Sequence, residues 1–494
     1  MKFGTAGLRG PMRDGPDAMN TATVSRATWA VAAVLRARGL AGATVVAGRD
    51  ARYHSDEFAR ATAETFAAEG FSVVLLPRPL PTPVLAFAVR RLDAAAGVQI
   101  TASHNPAGDN GYKVYFAGGI QIVEPTDRDI EDAMRRAPDR ISRAPVTPTG
   151  ERLIDEYVTR AASLRRGPGG LRIALTPLHG VGGDTAVEVL QRAGFGDLHT
   201  VAAQFDPDPD FPTVAFPNPE EPGATDALLA LAAEVGADLA IALDPDADRC
   251  AVGIPDTNGW RMLTGNETGW LLGDFLLSRL TADEAKKAIV ASSIVSSQLL
   301  ADIAALHGAR HVETLTGFKW LARADDGLPG HRLRYAYEEA IGHCVDPDAV
   351  RDKDGISTAV VVADLTATLA AQGDSVPDKL DALARRHGVH LTSAVSARVD
   401  AAAVMARLRA TPPHKIAGVE VGVLDLAGRT DALIFTGPGL RVAIRPSGTE
   451  PKVKGYIEIR RRPTDDLTGA RDDAQRLMHT VETATAELLQ RGPN

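Results

Sequence analysis

The most regular pattern along the chain is a helix that ends at a glycine and is followed by a short apolar run and a loop. Residues 56–69 have helical spacing and end before Gly70, and the same pattern recurs before Gly194, Gly236 and Gly308. Glycine adopts the left-handed conformation just past a helix at little steric cost. Helices of this length that alternate with apolar runs indicate repeated βα units with mostly parallel sheets.

Polar clusters follow the apolar runs at several points of the chain. In open α/β sheets, ligands bind beyond the carboxyl ends of the strands. Because the clusters fall in three separate stretches, we expect three similar units whose loops face one cleft. The candidate strands followed by such clusters are 44–48, 97–100, 171–175, 238–243 and 333–337.

The last hundred residues have a different pattern. Residues 391–399 alternate like a half-buried strand, and a helix, short strands and a long helix from about Asp465 follow. The sequence therefore predicts an α/β fold class, with three related mixed-sheet α/β domains and a C-terminal α+β domain around one central cleft. The predicted domain limits are 1–148, 149–256, 257–388 and 389–494.

Composition and charge narrow the class of protein and the kind of partner it can have. A chain of 494 residues with 45% hydrophobic and 24% charged residues is an ordinary globular protein of about three or four domains. A formal charge of −9 argues against nucleic acid or an anionic membrane as the main partner, although a few arginines can still bind an anionic small molecule. Two cysteines give no disulfide framework. No apolar run approaches the roughly 18 residues of a membrane span, so we expect a cytoplasmic protein.

Asp244, Asp246 and Asp248 are the first candidate site. In an extended segment, alternate residues point to the same side, so the three carboxylates would converge as hard oxygen ligands for Mg²⁺ or Ca²⁺. The EF-hand alternative fails, because its sixth and twelfth positions hold Arg249 and Pro255. A solvated Asp-Pro turn remains the plain alternative. The adjacent arginine adds a group that binds phosphate.

Ser103 lies in the loop TASHNP and is a candidate nucleophile if a base or a metal activates it. The plain alternative is a turn or capping serine. In extended backbone His104 would point away from Ser103 and would be a poor proton acceptor. No G-x-S-x-G elbow is present, which weakens a hydrolase interpretation. Lys113 is by itself typical of a surface lysine.

Residues 445–449, RPSGT, follow an apolar run and combine a guanidinium, two hydroxyls and a glycine. They predict an anion-binding loop as readily as a polar β-turn. No Walker A sequence and no G-x-G-x-x-G after a strand are present, so nucleotide-binding templates do not apply. The glycine-rich segment 4–10 shows only that Arg9 lies on closely approaching backbone.

Taken together and in this order, six segments resemble the motifs of the α-D-phosphohexomutase superfamily of phosphoglucomutases and phosphomannomutases. The resemblance spans nearly the whole chain and implies four domains, three related α/β units and a smaller α+β unit. The segments are GTAGLRG (4–10), TASHNP (101–106), DPDADR (244–249), TGFK (316–319), EEAIG (338–342) and RPSGTEP (445–451).

The resemblance implies roles for residues. Ser103 would carry the transferable phosphoryl group and, with the three aspartates, hold one Mg²⁺. Arg9 and Arg249 would face the reacting phosphate, and Lys113 would act as general acid and base. Contacts to sugar or to the distal phosphate are implied for His104, Thr316, Gly317, Lys319, Glu338, Glu339, His343, Lys353, Arg445, Ser447, Gly448 and Thr449.

The reaction implied is interconversion of hexose 1-phosphate and hexose 6-phosphate, of glucose ahead of mannose, with glucose 1,6-bisphosphate as activator. The partner would be a small sugar phosphate, and the protein a monomer or homodimer. One position departs from the hexose enzymes, which usually have a serine where this chain has Ala340. The loop is similar to that of phosphopentomutases and sugar-bisphosphate synthases, so these are the alternatives. A non-catalytic sugar-phosphate sensor and a metal-dependent phosphatase are the remaining ones.

Overall fold

The computed structural model describes residues 1, 3–4, 7–447 and 452–490. Its first unit is a mixed sheet with helices on both faces. The strands are β1 (Leu8–Pro11), β2 (Thr44–Arg49), β3 (Ser72–Leu75), β4 (Ala96–Ile100), β5 (Asp109–Phe116) and β6 (Ile120–Gln121). The helices are α1 (Thr21–Ala37), α2 (Ser55–Ala68), α3 (Thr82–Arg91) and α4 (Thr126–Arg136).

The strand order of this sheet is β1-β5-β4-β2-β3, with β6 beside β5. Strand β2 runs parallel to β3 and β4, whereas β5 runs antiparallel to β4 and β1. Successive side chains of a strand point to opposite faces, so Val45 and Ala47 pack toward α1 and α2, while Val46 packs toward α3. Burial on both faces explains why β2 is an almost continuous apolar run.

The second unit repeats this plan. Its strands are β7 (Arg172–Thr176), β8 (Asp197–Thr200), β9 (Leu239–Leu243), β10 (Cys250–Asp256) and β11 (Gly259–Met262). Its helices are α5 (Arg152–Ala162), α6 (Gly183–Arg192), α7 (Ala202–Phe205) and α8 (Asp226–Val235). The strand order is β11-β10-β9-β7-β8, with β7 parallel to β8 and β9.

The third unit has the order β13-β12-β14-β15, with β12 parallel to both neighbours. Its strands are β12 (Ala288–Ser293), β13 (Arg310–Thr314), β14 (Arg332–Glu338) and β15 (Gly342–Cys344). Its helices are α9 (Gly265–Ser278), α10 (Ala282–Ala285), α11 (Leu299–His307), α12 (Phe318–Leu321), α13 (Gly355–Gln372) and α14 (Val376–His387).

One topology therefore occurs three times. In each unit the first parallel strand is central, the second and third flank it, and an antiparallel strand follows the third: β3-β2-β4-β5, β8-β7-β9-β10 and β13-β12-β14-β15. The expectation of three related mixed-sheet α/β units is confirmed. The predicted helix ends at Gly236 and Gly308 are also confirmed, since both glycines are left-handed C-caps with φ of 62° and 74°.

The C-terminal unit is an antiparallel sheet in the order β16-β22-β21-β20-β19, which confirms the predicted α+β module. Helix α16 packs on the sheet through Ala474, Met478 and Val481. The strands are β16 (His390–Ala397), β17 (Lys415–Ile416), β18 (Val419–Glu420), β19 (Gly422–Asp425), β20 (Leu433–Gly437), β21 (Leu440–Pro446) and β22 (Val453–Arg460). The helices are α15 (Ala401–Ala410) and α16 (Leu467–Gln490).

Helix α13 is an interrupted apolar segment that has the length and mean composition of a membrane span. Among the described residues it is the one helix whose length and composition match a membrane span. The sequence pattern did not show this, because Asp364 and several hydroxyl side chains interrupt the apolar run. In the fold, 78% of the helix is buried, where it packs against α5, α6 and α9. A helix in the core of a folded unit has the same length and apolar composition.

Candidate active site

Three loops at equivalent places in the repeated topology meet at one point. Each connects the third parallel strand of its unit to the antiparallel strand that follows, and each contains a non-glycine residue in the left-handed region. These residues are Ser103 (φ 53°), Ala247 (φ 54°) and Ile341 (φ 53°). Such conformations cost about 1–3 kcal/mol each and persist where surrounding contacts impose them.

Backbone hydrogen bonds join the loop after β9 to the loop after β14 and to the first residues of α3 and α13. Thr82, at the start of α3, donates its N–H to the carbonyl of Asp246 at 2.9 Å. Gly355 donates to the carbonyl of Ala247 at 3.1 Å, and Cys250 donates to the carbonyl of Ile341 at 3.1 Å. The loops of the three units therefore form one connected surface.

The three aspartates follow β9 and lie close together. One carboxylate oxygen of each lies within 4.8 Å of the others, so the predicted convergence is confirmed. The predicted extended segment is wrong, because β9 ends at Leu243 and the chain turns at Ala247. The solvated-turn alternative is also wrong, since all three side chains are buried.

Burial and the charges of neighbouring residues have opposing effects on the pKa values of the three aspartates. Burial raises the pKa of Asp244 well above its ordinary value, and the charges of Asp246 and Asp248 raise it further. Burial acts on Asp246 too, but the ammonium of Lys113 outweighs it and lowers that pKa below the ordinary value. Burial and the charge of Asp246 oppose ionisation of Asp248, yet Lys113 and Lys353 lower its pKa.

Lys113 is not a surface residue. It lies on β5, is 1% exposed, and its Nζ is 2.6 Å from Asp246 Oδ2 and 2.7 Å from Asp248 Oδ2. Lys353 adds a weaker pair with Asp248 at 3.3 Å. Two lysines from different units therefore offset part of the negative charge of the three carboxylates.

The donor set fits a divalent metal ion. Asp246 Oδ1 and Asp248 Oδ1 are buried, and no hydrogen-bond donor within the described ranges reaches either atom. Buried carboxylate oxygens without donors are unfavourable unless a cation approaches them. Because all the candidate ligands are hard oxygen atoms, the set suits Mg²⁺.

Ser103 follows β4 and faces the triad from the opposite unit. Its Oγ donates to Asp244 Oδ2 at 2.8 Å, and the side chain is buried. The sequence-based expectation for His104 is wrong. Because Ser103 is left-handed rather than extended, its Oγ lies 3.2 Å from Nδ1 of His104. Burial lowers the pKa of His104 well below 6.5, and Arg249 and Arg9 lower it further.

Two arginines approach the same point. Arg9 on β1 donates to Asn105 Oδ1 at 3.3 Å, and Arg249 lies 3.6 Å from Glu220 Oε2. The Nε atoms of both arginines are buried, and neither meets an acceptor among the residues described. An anion beside the triad would satisfy them.

The predicted sugar loop follows β14. Glu339 Oε2 accepts hydrogen bonds from Ser293 Oγ and Ser296 Oγ, each at 2.9 Å. Burial raises the pKa of Glu338, which Lys353 and Arg249 partly offset. Ala340 and Glu339 line a cavity of about 250 Å³ between the third and fourth units.

The remaining predicted substrate contacts lie around the start of α12 and in the interior of the third unit. Thr316 and Gly317 form the turn before α12, where Gly317 needs φ of 103°. Lys319 lies near Asp127 and Glu124 of the first unit, and burial lowers its pKa. His343 is 1% exposed and its ring packs against the rings of Tyr335 and Tyr337, so the structure does not bring it to the cleft surface.

The predicted phosphate loop is described only in part. Arg445 lies at the end of β21, and the N–H of Ser447 donates to the carbonyl of Lys452 at 2.8 Å. Gly448 and Thr449 lie outside the described residues. Lys454 pairs directly across from Arg445 in the antiparallel register.

Sequence reasoning missed four residues of this region. Glu220 and Lys454 line the same cavity as Ala340, Thr82 donates its hydroxyl to Asp246 Oδ2 at 2.5 Å, and Arg52 holds the serine loop. Arg52 carried a signal, because RDAR follows a predicted strand. The other three belong to no pattern on the chain.

Comparison with known proteins identifies the family. Sequence profiles of phosphoglucomutase/phosphomannomutase α/β/α domains I, II and III match residues 1–140, 154–257 and 264–387. Together the matches cover more than half of the chain. The chain belongs to the phosphoglucomutase/phosphomannomutase family. It is therefore an enzyme of the isomerase class, an intramolecular phosphotransferase.

Named relatives of the chain fall within this family. It is 42% identical over 467 residues to a probable phosphomannomutase of Haemophilus influenzae, covering 91% of this chain and 94% of the relative. It is 34% identical over 521 residues to a phosphopentomutase of Mus musculus, covering 93% and 84%. A crystal structure of a putative phosphomannomutase from Thermus thermophilus matches with a TM-score of 0.73 at 25% identity, covering 97% and 99%.

Proposed function

We propose that the protein is a Mg²⁺-dependent phosphosugar mutase that interconverts hexose 1-phosphate and hexose 6-phosphate, glucose or mannose, through phosphorylated Ser103 and a hexose 1,6-bisphosphate. The contact that carries the proposal is the 2.8 Å hydrogen bond from Ser103 Oγ to Asp244 Oδ2. It places a buried hydroxyl from one unit against a carboxylate cluster from the next. A hydroxyl beside a metal-binding triad is suited to carry a phosphoryl group.

Asp244, Asp246 and Asp248, with an oxygen of phosphorylated Ser103, are the residues that would hold Mg²⁺. When bound there, Mg²⁺ supplies Lewis-acid chemistry at a phosphoryl oxygen. The chain's own cations do the remaining electrostatic work. Arg9 and Arg249, whose Nε atoms are buried beside the triad, bind the equatorial oxygens on which charge is spread during transfer.

Lys113 is the proposed proton carrier. Its Nζ lies among the carboxylates and belongs to the same unit as Ser103. In the first half-reaction the bond from phosphorus to Ser103 Oγ breaks and a bond to the sugar oxygen forms. The proton of the sugar hydroxyl passes through Lys113 and ends on Ser103 Oγ. The second half-reaction is the reverse, at the other end of the sugar.

A reaction at both ends of one sugar needs two phosphate subsites. The distal subsite is proposed at the end of β21, with Arg445, Ser447 and the loop that continues through Gly448 and Thr449. Along the sequence, Glu338 and Glu339 come between the residues of the two subsites. Their carboxylates supply hydrogen-bond acceptors for sugar hydroxyls. The bisphosphate turns end over end between the half-reactions, and glucose 1,6-bisphosphate acts as activator.

A phosphopentomutase is the second candidate, and Ala340 favours it. A methyl group at this position offers no hydrogen bond to a sugar hydroxyl, and the mouse relative of the chain is a phosphopentomutase. A bisphosphate-forming phosphotransferase is compatible with the same site. We further propose a cytoplasmic monomer or homodimer with domain limits at 148, 256 and 388, so that each domain supplies one loop of the cleft.

A substrate panel tests the proposal. The purified protein is incubated with Mg²⁺, a trace of glucose 1,6-bisphosphate and, separately, the 1-phosphates of glucose, mannose and ribose. The expected product is the matching 6- or 5-phosphate, and Ser103→Ala abolishes it. Ser163→Ala is the matched control, since Ser163 lies at the surface and only caps the carbonyl of Arg160.

Each result of the panel decides between candidates. Turnover of glucose or mannose 1-phosphate supports the hexose mutase, whereas ribose 1-phosphate as the fastest substrate supports the pentose mutase. Release of inorganic phosphate would identify a phosphatase. Turnover that survives Ser103→Ala would refute the phosphoserine mechanism.

A further inference from the structure

Ser103 is held in a conformation that its own chemistry does not favour. Its φ of 53° lies in the left-handed region, where a side chain with a β-carbon is strained. The hydrogen bond from its N–H to Thr101 Oγ1 at 2.9 Å fixes only one side of the loop. Further contacts must therefore impose the turn that aims Oγ at Asp244.

Arg52 provides these contacts. It follows β2, next to the serine loop in the sheet, and is 5% exposed. Its Nη2 donates to the carbonyls of Ser103 at 2.7 Å and Asn105 at 2.5 Å. Its Nη1 donates to the carbonyls of Pro106 at 2.8 Å and Asp109 at 3.1 Å. One guanidinium thus binds four carbonyls of the segment that carries the serine.

The guanidinium is itself fixed. Asp50 Oδ2 lies 3.4 Å from Arg52 Nε, and Asp50 Oδ1 accepts from Ser55 Oγ at 2.6 Å. Phe211, from the second unit, covers the plane of the guanidinium at 4.9 Å. A planar cation with a counter-charge and an aromatic cover has little freedom to move.

The hydrogen bonds also show what Arg52 does not do. All four Nη hydrogens are used by loop carbonyls. Neither Nη atom therefore has a hydrogen left for a phosphate oxygen. Nε lies 3.4 Å from Asp50 Oδ2, an ion-pair contact without a hydrogen bond. Arg52 resembles Arg9 and Arg249 in having a buried Nε without a hydrogen-bond acceptor among the residues the structure covers, but it differs from them in binding four loop carbonyls through its Nη atoms.

We infer that Arg52 is a positioning residue for phosphoryl transfer at Ser103: its fork of four hydrogen bonds holds the loop so that Oγ faces the metal-binding triad. The inference rests on the proposed function, since it names Ser103 as the acceptor. The step it controls breaks the bond from a sugar-phosphate oxygen to phosphorus and forms the Oγ–P bond. The proton of Ser103 ends on the released sugar oxygen.

Arg52→Lys is the test variant, because lysine keeps the charge but lacks the planar fork. The measurement is the single-turnover rate of Ser103 phosphorylation by glucose 1,6-bisphosphate with Mg²⁺, followed by intact mass. We expect this rate and kcat to fall about 100-fold, as for a displacement of about 1 Å. KM for the sugar 1-phosphate should stay within about twofold, because no substrate contact is removed.

Arg26→Lys is the matched control. Arg26 lies in the same unit, and its Nη1 donates to the carbonyls of Met134 and Ala137, far along the chain from the site. It should lower thermal stability without slowing Ser103 phosphorylation. If Arg52→Lys does not fold, Phe211→Leu and Asp50→Asn replace it. Each removes one support of the guanidinium and should reduce the phosphorylation rate at unchanged KM.

The outcomes separate the two proposals. If the wild type forms no phosphoserine, the proposed function fails. If the wild type is phosphorylated and Arg52→Lys is phosphorylated equally fast, the positioning role is overturned. A loss of kcat in proportion to the folded fraction, or a rise in KM with kcat unchanged, would overturn it as well.

Discussion

Replacing Lys113 by methionine tests the charge balance of the buried triad. The change removes two ion pairs, of 2.6 and 2.7 Å, whose partners are at most 1% exposed. Asp248 keeps Lys353 at 3.3 Å, whereas the partner left to Asp246 Oδ2 among the described residues is the hydroxyl of Thr82. Removing one partner of a buried pair costs about 3–5 kcal/mol. We expect a loss of that size in metal-free protein.

Mg²⁺ should restore much of this stability, because a divalent cation takes over the carboxylates that the lysine leaves. A ligand at 100 times its dissociation constant stabilises the native state by about 2.7 kcal/mol. Thermal or urea unfolding is measured with EDTA and with excess Mg²⁺, for the wild type and Lys113→Met. The Mg²⁺-dependent gain should be larger in the variant, where no ammonium competes for the site.

Lys379→Met is the control for this experiment. Lys379 Nζ also forms a 2.6 Å pair with a buried aspartate, Asp274, but within the described part of the chain this aspartate belongs to no carboxylate triad. Its replacement should destabilise the protein with no extra gain from Mg²⁺. The reasoning is refuted if Lys113→Met is as stable as the wild type in EDTA, or if Mg²⁺ stabilises both proteins equally.

Two further predictions address the sugar loop and the pH dependence. In Gly265→Ala the new methyl group would overlap the carbonyl oxygen of Glu339, so the sugar loop must move. We expect KM for the sugar phosphate to rise several-fold in steady-state kinetics, with Ser103 phosphorylation intact. An unchanged KM would contradict this prediction. Burial lowers the pKa of His343 to about 3, below the 6.5 of an unfolded histidine, so stability should be lost as pH falls from about 6.5 toward 3, by up to about 1.4 kcal/mol per unit. His343→Phe keeps a stacked ring without the charge, and urea unfolding across this range should show a flatter slope than the wild type; equal slopes would exclude His343 as the cause.

Local sequence patterns were sufficient to predict the positions of the candidate strands and of the loops that follow them. The five candidate strands agree with β2, β4, β7, β9 and β14 to within one residue at each end. Apolar runs buried on both faces are long and uninterrupted, so they stand out in a sequence. Because ligand-binding loops follow such strands, Ser103 and the aspartates could be named before any coordinates.

Contacts across the chain could not be predicted in this way. Lys113 reads as a surface residue because its partners lie 133 and 135 residues away. Arg52 meets the serine loop 51 residues further along. His104 was misplaced for a different reason, since its orientation depends on one left-handed residue, and no propensity favours that conformation at a serine.

The contacts of Ser103, Lys113 and Thr82 all cross from the first unit to Asp244 and Asp246 of the second. In the proposed mechanism neither unit holds a complete reaction centre, so we expect a fragment of either one alone to be inert and two such fragments to complement each other when they dock. Recombination between homologous genes at the boundary of these two units would place the hydroxyl of Ser103 and the ammonium of Lys113 against the aspartates of a different homologue. The two units would therefore have to change together, although each has its own sheet.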